Sequence, residues 1–248
     1  MSGRTEPGAD SESQEHARRV RGMFARIAGR YDLLNHLLSA NTDARWRKLV
    51  AKRLGETLRP GAHVLDVACG TGDLAFALAE ASPHVRVVGV DFCRPMLELA
   101  AAKSERRKAG AVAFVEGDAL RLPFADCAFD AVSIAFGLRN LARVEQGLEE
   151  LLRVLKPGGR AAVLEFSRPV VPGFRALFQF YFTRVLPFVG GVVSGSRGAY
   201  EYLPRSVSKF PDQRALAEMM RRAGFERVEF QNLTGGVAAL HTGARPQS

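Results

Sequence analysis

Cysteine is scarce. The 248-residue chain has three, Cys69, Cys93 and Cys127. They are too few and too scattered for a disulfide framework or a cysteine zinc site, and a reducing compartment suits such usage. The histidines, His16, His36, His63, His84 and His241, show no paired ligand spacing, so no metal is expected. An apolar run after Met1 is also lacking, so no secretory signal is expected. Glu6, Asp10, Glu12 and Glu15 argue against an organellar transit peptide, which avoids acids. Nor is there a long uncharged stretch. The most apolar one, residues 174–193, contains Arg175, Gln179, Arg184 and Pro187. Charges at that density are costly in a bilayer core, so it is not a spanning helix. A cytoplasmic protein is the expectation.

What is present suits a globular enzyme-sized chain. Hydrophobic residues make up 47% and charged residues 25%, enough apolar surface to offset chain entropy and exclude disorder over most of the length. At roughly 150 residues per domain, one large domain or two small ones are allowed. Thirty-five basic against 26 acidic side chains give a net charge of +9. That balance favours anionic partners such as nucleic acid or phospholipid headgroups. The basic residues form short clusters, at 45–48, 103–108 and 221–222, rather than one tract. A solvated arginine-rich surface accounts for them equally well.

Periodicity organises the chain. Residues 1–15 are polar and contain Gly3, Pro7 and Gly8, and read as a disordered arm. Val20, Phe24, Ile27, Tyr31, Leu34 and Leu38 recur at helical spacing, as do Trp46, Leu49, Val50 and Leu54, giving a helical extension over 16–60. β-Branched runs then alternate with helical patterns. Strands are expected at 63–68, 86–91, 112–116, 129–135 and 160–166, and helices at 73–81, 95–108 and 144–155, with a turn at 156–159. Such alternation means βαβ units and a doubly wound, mostly parallel sheet. Residues 168–210 break the alternation and read as a helical lid insertion. A helix over 212–223 follows, then two runs, 225–232 and 237–242, that read as a closing antiparallel pair. One domain over 16–248 accounts for everything.

The richest run is Val64-Leu65-Asp66-Val67-Ala68-Cys69-Gly70-Thr71-Gly72-Asp73, between a strand and a helix. Gly70 and Gly72 permit a tight turn and a close ligand approach. Asp91 ends the next strand, about 20 residues after the loop, where a carboxylate suits ribose hydroxyls. The loop formally fits a dinucleotide fingerprint, but Asp73 would sit where a pyrophosphate binds and would repel it. Asp66 adds a second acid on the strand. Both suit a ligand without phosphates that carries positive charge, such as S-adenosylmethionine. Asp118 and Ala119 follow the third strand, where a carboxylate and backbone atoms can meet adenine. Phe136-Gly137-Leu138-Arg139-Asn140 leaves the fourth strand at the same edge, where open α/β sheets bind ligands.

These residues carry a resemblance. The chain resembles the class I methyltransferases and, within them, the UbiE/MenG family of quinone C-methyltransferases. The likeness rests on the runs Arg30–Asn35, Leu65–Asp73, Phe136–Asn140, Leu164–Ser167, Lys209–Gln213 and Asn232–Gly236. It implies a Rossmann-like fold with S-adenosylmethionine as methyl donor. It implies cofactor contacts at Thr71, Asp91, Asp118 and Ala119, beside Asp66, Gly70 and Gly72 read from the loop. A serine hydroxyl found in some relatives is absent at Ala135, and Ser196 and Gly198 stand where acids are common. The implied substrate is a prenylated quinol, either demethylmenaquinol or 2-polyprenyl-6-methoxy-1,4-benzoquinol. Arg139 is expected to stabilise the developing phenolate, directly or through water that carries the proton away, Asn140 to orient the substrate oxygen, and Tyr31 to close the site. Phe174, Phe178, Phe180, Tyr181, Phe182 and Phe188 form either ordinary core or a channel for the prenyl tail. Peripheral attachment to an anionic membrane surface is expected, and the sequence leaves homodimerisation open.

Two other readings compete. A methyltransferase acting on RNA would want aromatics interleaved among basic residues along a groove. The sequence has no such stripe, so no nucleic acid partner is expected. A quinone carrier without catalysis would not need Gly70, Gly72 and Asp91.

Overall fold

The computed structural model describes residues 7–39, 41–107, 109, 112–185 and 197–247. Helices α1 (Pro7–Ser39) and α2 (Thr42–Gly55) precede β1 (His63–Val67), α3 (Asp73–Ala81), β2 (Arg86–Asp91), α4 (Arg94–Arg107), β3 (Val112–Glu116) and β4 (Phe129–Ala135). A 3-10 turn (Leu138–Asn140), α5 (Val144–Val154) and β5 (Leu155–Phe166) follow. The insertion holds α6 (Pro172–Phe180), a π turn (Tyr181–Val185) and α7 (Arg197–Lys209); α8 (Gln213–Arg222), β6 (Glu226–Leu233) and β7 (Ala238–Ala244) close the chain.

The seven strands form one sheet in the order β3-β2-β1-β4-β5-β7-β6. β1 to β5 are parallel, and β7 and β6 add antiparallel. β1 is buried at every residue but its first, as a central strand covered on both faces must be. Alternate residues split between two cores. Val64, Ala131 and Ala162 join Trp46, Leu54 and Phe76 on one face. Leu65, Val132 and Val163 join Leu148, Leu151 and Met220 on the other. Asp212 caps α8 by accepting from the backbone N–H groups of Arg214 and Ala215. The chain reverses strand order between β1 and β4, so the ends of these strands open a crevice there.

Two sequence expectations change. The expected arm is helical from Pro7, so residues 7–15 belong to α1. Proline suits a first helical turn, and acids near a helix start complement its dipole; Val20, Met23 and Ile27 then seat the helix by burial. The expected turn at 156–159 is an irregular opening of β5. Leu155 pairs with Phe129, the register slips, and Arg160 pairs with Ala131. Gly158 takes φ +74° there, and at Gly159 a Cβ would lie 2.8 Å from the Lys156 carbonyl, so glycines absorb a bulge.

Candidate active site at the carboxyl ends of the parallel strands

A cavity open to solvent lies outside the ends of β1 to β4. Its floor comes from Ala68 and Gly70 after β1, Asp91–Cys93 after β2, Gly117–Leu120 after β3 and Ala135–Gly137 after β4. Ala17, Phe24 and Tyr31 of α1 cover it. Ala68 and Phe136 adopt φ +51° and +57°, a region that non-glycine residues rarely occupy and that marks functional turns. Here it makes two neighbouring strands turn away from the sheet at the same point. Gly137 lets them do so, since a Cβ on it would lie 2.5 Å from the Ala68 Cβ.

The two glycines of the loop do different jobs. Gly70 has φ +56° and open space where a Cβ would stand, on the cavity wall. Gly72 has φ +87°, and a Cβ on it would lie 2.9 Å from both the Phe76 and Phe114 rings. Core packing, not ligand approach, requires glycine at 72, and Gly72 does not line the cavity.

Asp91 is where the sequence places it. Its two oxygens accept from the backbone N–H groups of Gly70 and Cys93, each at 2.8 Å. Burial pushes its carboxyl up, while those N–H groups oppose the shift. The loop and the strand-end acid are thus one unit, with the remaining carboxylate lone pairs available to ribose hydroxyls. Asp118 lines the cavity and accepts from the Leu120 N–H at 2.9 Å; Ala119 lies beside it. Phe92, Met96 and Leu120 supply an apolar wall between the two acids. Acceptors suited to ribose and adenine amine share one wall with apolar side chains, so these residues fit S-adenosylmethionine.

Three other loop residues stand back from the cavity. Thr71 is buried, and its hydroxyl donates to Asp32 of α1 at 2.5 Å. Asp32 also pairs with Lys103 of α4 at 2.5 Å, and Lys103 pairs with Asp73 at 2.8 Å. Lys103 thus answers two carboxylates, so the cluster keeps one net negative charge, which still disfavours a phosphate at this helix start. Asp66 is 1% exposed and accepts from the Ser133 hydroxyl at 2.8 Å; among the described residues its other oxygen has no well-formed hydrogen bond. Burial pushes its pKa up to about 7. Thr71, Asp66 and Gly72, expected to contact the cofactor, are thus not among the residues that line the cavity.

The 3-10 turn separates Arg139 from Asn140. The Arg139 side chain is only 7% exposed and pairs with Glu165 at 2.7 Å. Glu165, at the end of β5, also accepts from the Arg139 backbone N–H at 3.1 Å. Arg139 donates to the Phe136 carbonyl as well and lies over the Phe166 ring at 5.1 Å. Its charge is paired inside the protein and it is not among the residues that line the cavity. Asn140 and Tyr31 do line it. Asn140 meets Tyr202 of α7 and His16 of α1, and Tyr31 packs edge-on against Phe24 at 5.9 Å.

Phe174, Phe178 and Phe182 form a ladder with successive ring centroids 6.2 and 5.1 Å apart, which runs on to Phe166. Phe180 is 60% exposed, and Phe188 and Ser196 lie outside the described residues. Trp46 is core, donating to the Thr234 hydroxyl at 3.3 Å. Burial pushes the Cys69 thiol up, away from reactivity. Among the described residues, no group of three His, Cys, Asp or Glu could hold a metal ion, and no helix is long and apolar enough to cross a membrane.

Sequence reading missed the roles of Asp32, Lys103, Glu165, Tyr202 and His16. Glu165 had a signal, a lone acid inside the apolar run Ala161–Phe166. The others are surface-type residues whose partners are far away along the chain.

Known proteins agree with this architecture. A solved S-adenosylmethionine-dependent methyltransferase of Thermotoga maritima superposes with a TM-score of 0.61 at 21% identity, covering 91% of this chain and 99% of that one. One from Aquifex aeolicus gives 0.58 at 20% identity, covering 80% and 88%. The demethylmenaquinone methyltransferase of Thermus thermophilus is 54% identical over 224 residues, 90% of this chain and 100% of the relative. That of Deinococcus radiodurans is 50% identical over 237 residues, 94% and 95% of the two chains. The ubiquinone/menaquinone biosynthesis C-methyltransferase UbiE of Paracoccus denitrificans is 45% identical over 225 residues, 90% and 89%. Since the profile of the ubiE/COQ5 methyltransferase family matches residues 11–245, the chain belongs to that family.

Proposed function

We propose that the chain transfers a methyl group from S-adenosylmethionine to a ring carbon of a prenylated quinol, with demethylmenaquinol as the leading substrate. The observation that carries the reading is one cavity whose lining includes Asp91 and Asp118 together with Tyr31 and Asn140. The cofactor supplies an electrophilic methyl carbon on sulfur. Asp91 holds the ribose and Asp118 the adenine amine, which fixes that carbon. Tyr31 and Phe24 cover it and exclude water. The ring carbon becomes nucleophilic when a neighbouring hydroxyl loses its proton. Asn140 meets that oxygen, and Arg139 acts through it by holding the turn against Glu165. Methyl transfer would form the carbon–carbon bond as the methyl–sulfur bond breaks, leaving S-adenosylhomocysteine; the proton on the methylated ring carbon would then move to the ring oxygen through water, restoring the quinol, while the proton lost by the hydroxyl passes to solvent. The ladder Phe166–Phe182–Phe178–Phe174 offers an apolar path for the prenyl tail.

The test is direct. Purified chain, S-adenosylmethionine and a short-chain demethylmenaquinol in detergent should give equimolar methylated quinol and S-adenosylhomocysteine by mass spectrometry. No methylated quinol, or turnover only of the methoxy-benzoquinol, overturns the leading assignment.

Attachment to an anionic membrane surface belongs to the same reading. Residues 166–200 contain four arginines and no Asp or Glu, and Val170, Val171 and Phe180 are 53%, 50% and 60% exposed. Apolar side chains with basic neighbours suit an anionic interface. Flotation with anionic vesicles should carry the chain at low salt and release it at high salt; no flotation at low salt refutes the attachment.

A further inference from the structure

Asn140 is where three elements converge. Its Nδ2 donates to the Phe136 carbonyl at 3.2 Å within its own turn. Its Oδ1 accepts from the Tyr202 hydroxyl of α7 at 3.1 Å. Its backbone carbonyl accepts from the His16 Nε2 of α1 at 3.0 Å. A carbonyl only accepts, so the Phe136 contact decides which end of the amide is nitrogen. The other end is then oxygen, and Tyr202 must donate to it. Burial pushes the Tyr202 phenol up, which keeps that proton in place.

A primary amide has two N–H bonds. One goes to Phe136. Among the described residues the second has no protein partner, and Asn140 lines the cavity. Asn140 thus keeps one uncommitted N–H on a residue of the cavity wall, a group of the sense that favours a developing oxyanion. The reverse orientation would face an oxygen with an oxygen.

We propose that Tyr202 is a positioning residue, which holds the Asn140 amide so that its free N–H meets the substrate oxygen that gains charge during methyl transfer. The proposal rests on the C-methyltransferase reading above. It makes Asn140 a donor rather than a proton acceptor. It also ties the donor's alignment to α7, because Tyr202 comes from the insertion and not from the sheet.

The experiment uses the full chain with S-adenosylmethionine and a short-chain demethylmenaquinol. Tyr202→Phe should lower kcat about tenfold, less than the ~10²–10³ of removing an oxyanion donor outright, with S-adenosylmethionine affinity unchanged by calorimetry. In an Asn140→Ala background the same substitution should cost nothing further. Unchanged kcat in Tyr202→Phe, or losses that multiply in the double variant, overturn the proposal. A second readout is independent of turnover. The chain has four asparagines, so selective 15N labelling gives few side-chain NH2 pairs, and Asn140→Ala assigns the relevant one. Tyr202→Phe should shift that pair; an unmoved pair overturns the proposal. A wild-type chain that transfers no methyl to the quinol while the pair still moves overturns the functional reading, and the catalytic use of the contact with it, but not the hydrogen bond.

Discussion

The cavity has a floor and a cover, and they are built by different physics. The floor is the edge of a sheet. Its turns are dictated by backbone conformation, at Ala68, Gly70, Phe136 and Gly137, and by close approach between loops. It stands on two large cores, one on each sheet face. The cover is α1 with the insertion. Its own cluster has three buried apolar residues, Met23, Ile27 and Phe182, among partly buried aromatics such as Tyr31 and Tyr202. It is held to the floor by side-chain contacts: Asp32 on Thr71 and Lys103, and His16 and Tyr202 on Asn140. We propose that the floor fixes the cofactor and that the cover opens to admit and release ligands. Elements with few buried apolar contacts are the ones that open locally.

Glu165→Ala should produce the largest effect. It leaves the buried Arg139 guanidinium unpaired, which typically costs about 3–5 kcal/mol, and thermal unfolding should shift down strongly. A small shift would place the turn with the cover rather than the floor.

Asp66 sharpens the floor next. Its folded pKa of about 7 lies above the unfolded value of about 3.9. Between those values the folded chain keeps a proton that the unfolded chain has released. Its contribution to stability therefore falls as pH rises from about 4 to about 7 and is level above that. Asp66→Asn should match wild type near pH 4 and be more stable above pH 7, by on the order of 4 kcal/mol. Denaturant midpoints at the two pH values decide it; a difference that does not vary with pH refutes the assignment.

Asp32→Ala tests the cover. Losing hydrogen bonds to a charged group costs about 1.5–3 kcal/mol, and the loss should fall on closure. The cofactor's dissociation rate should rise and α1 should become sensitive to protease, with little change in the main unfolding transition. Equal losses in both would mean that floor and cover unfold as one.

The smallest effect should come from Arg94→Ala at the rim. Arg94 pairs with Glu116 at 2.7 Å but is 73% exposed. Such pairs contribute about 0–1 kcal/mol and less with salt. A larger change in unfolding midpoint would show that the rim carries part of the floor's stability.

The floor was also the legible half. β2, β3, β4 and α3 have the bounds read from alternation, because a parallel strand buried on both faces and a glycine loop leave local signatures. The cover was legible as helices and little more. The arginine of Phe136–Asn140 stood at the right edge, yet nothing local reveals that Glu165, 26 residues on, would take its charge. The loop acids read as ligand contacts because spacing places residues on an edge without saying which side chains turn inward.

The sequence by itself determined the alternation of elements, the glycine loop followed by a strand-end acid, and the family, since these depend on order along the chain. Only the tertiary structure decided which of those residues face the cavity. Burial and pairing act between residues distant in sequence. Asp32 meets Thr71 and Tyr202 meets Asn140 only once the cover has docked on the sheet, so no local pattern records them.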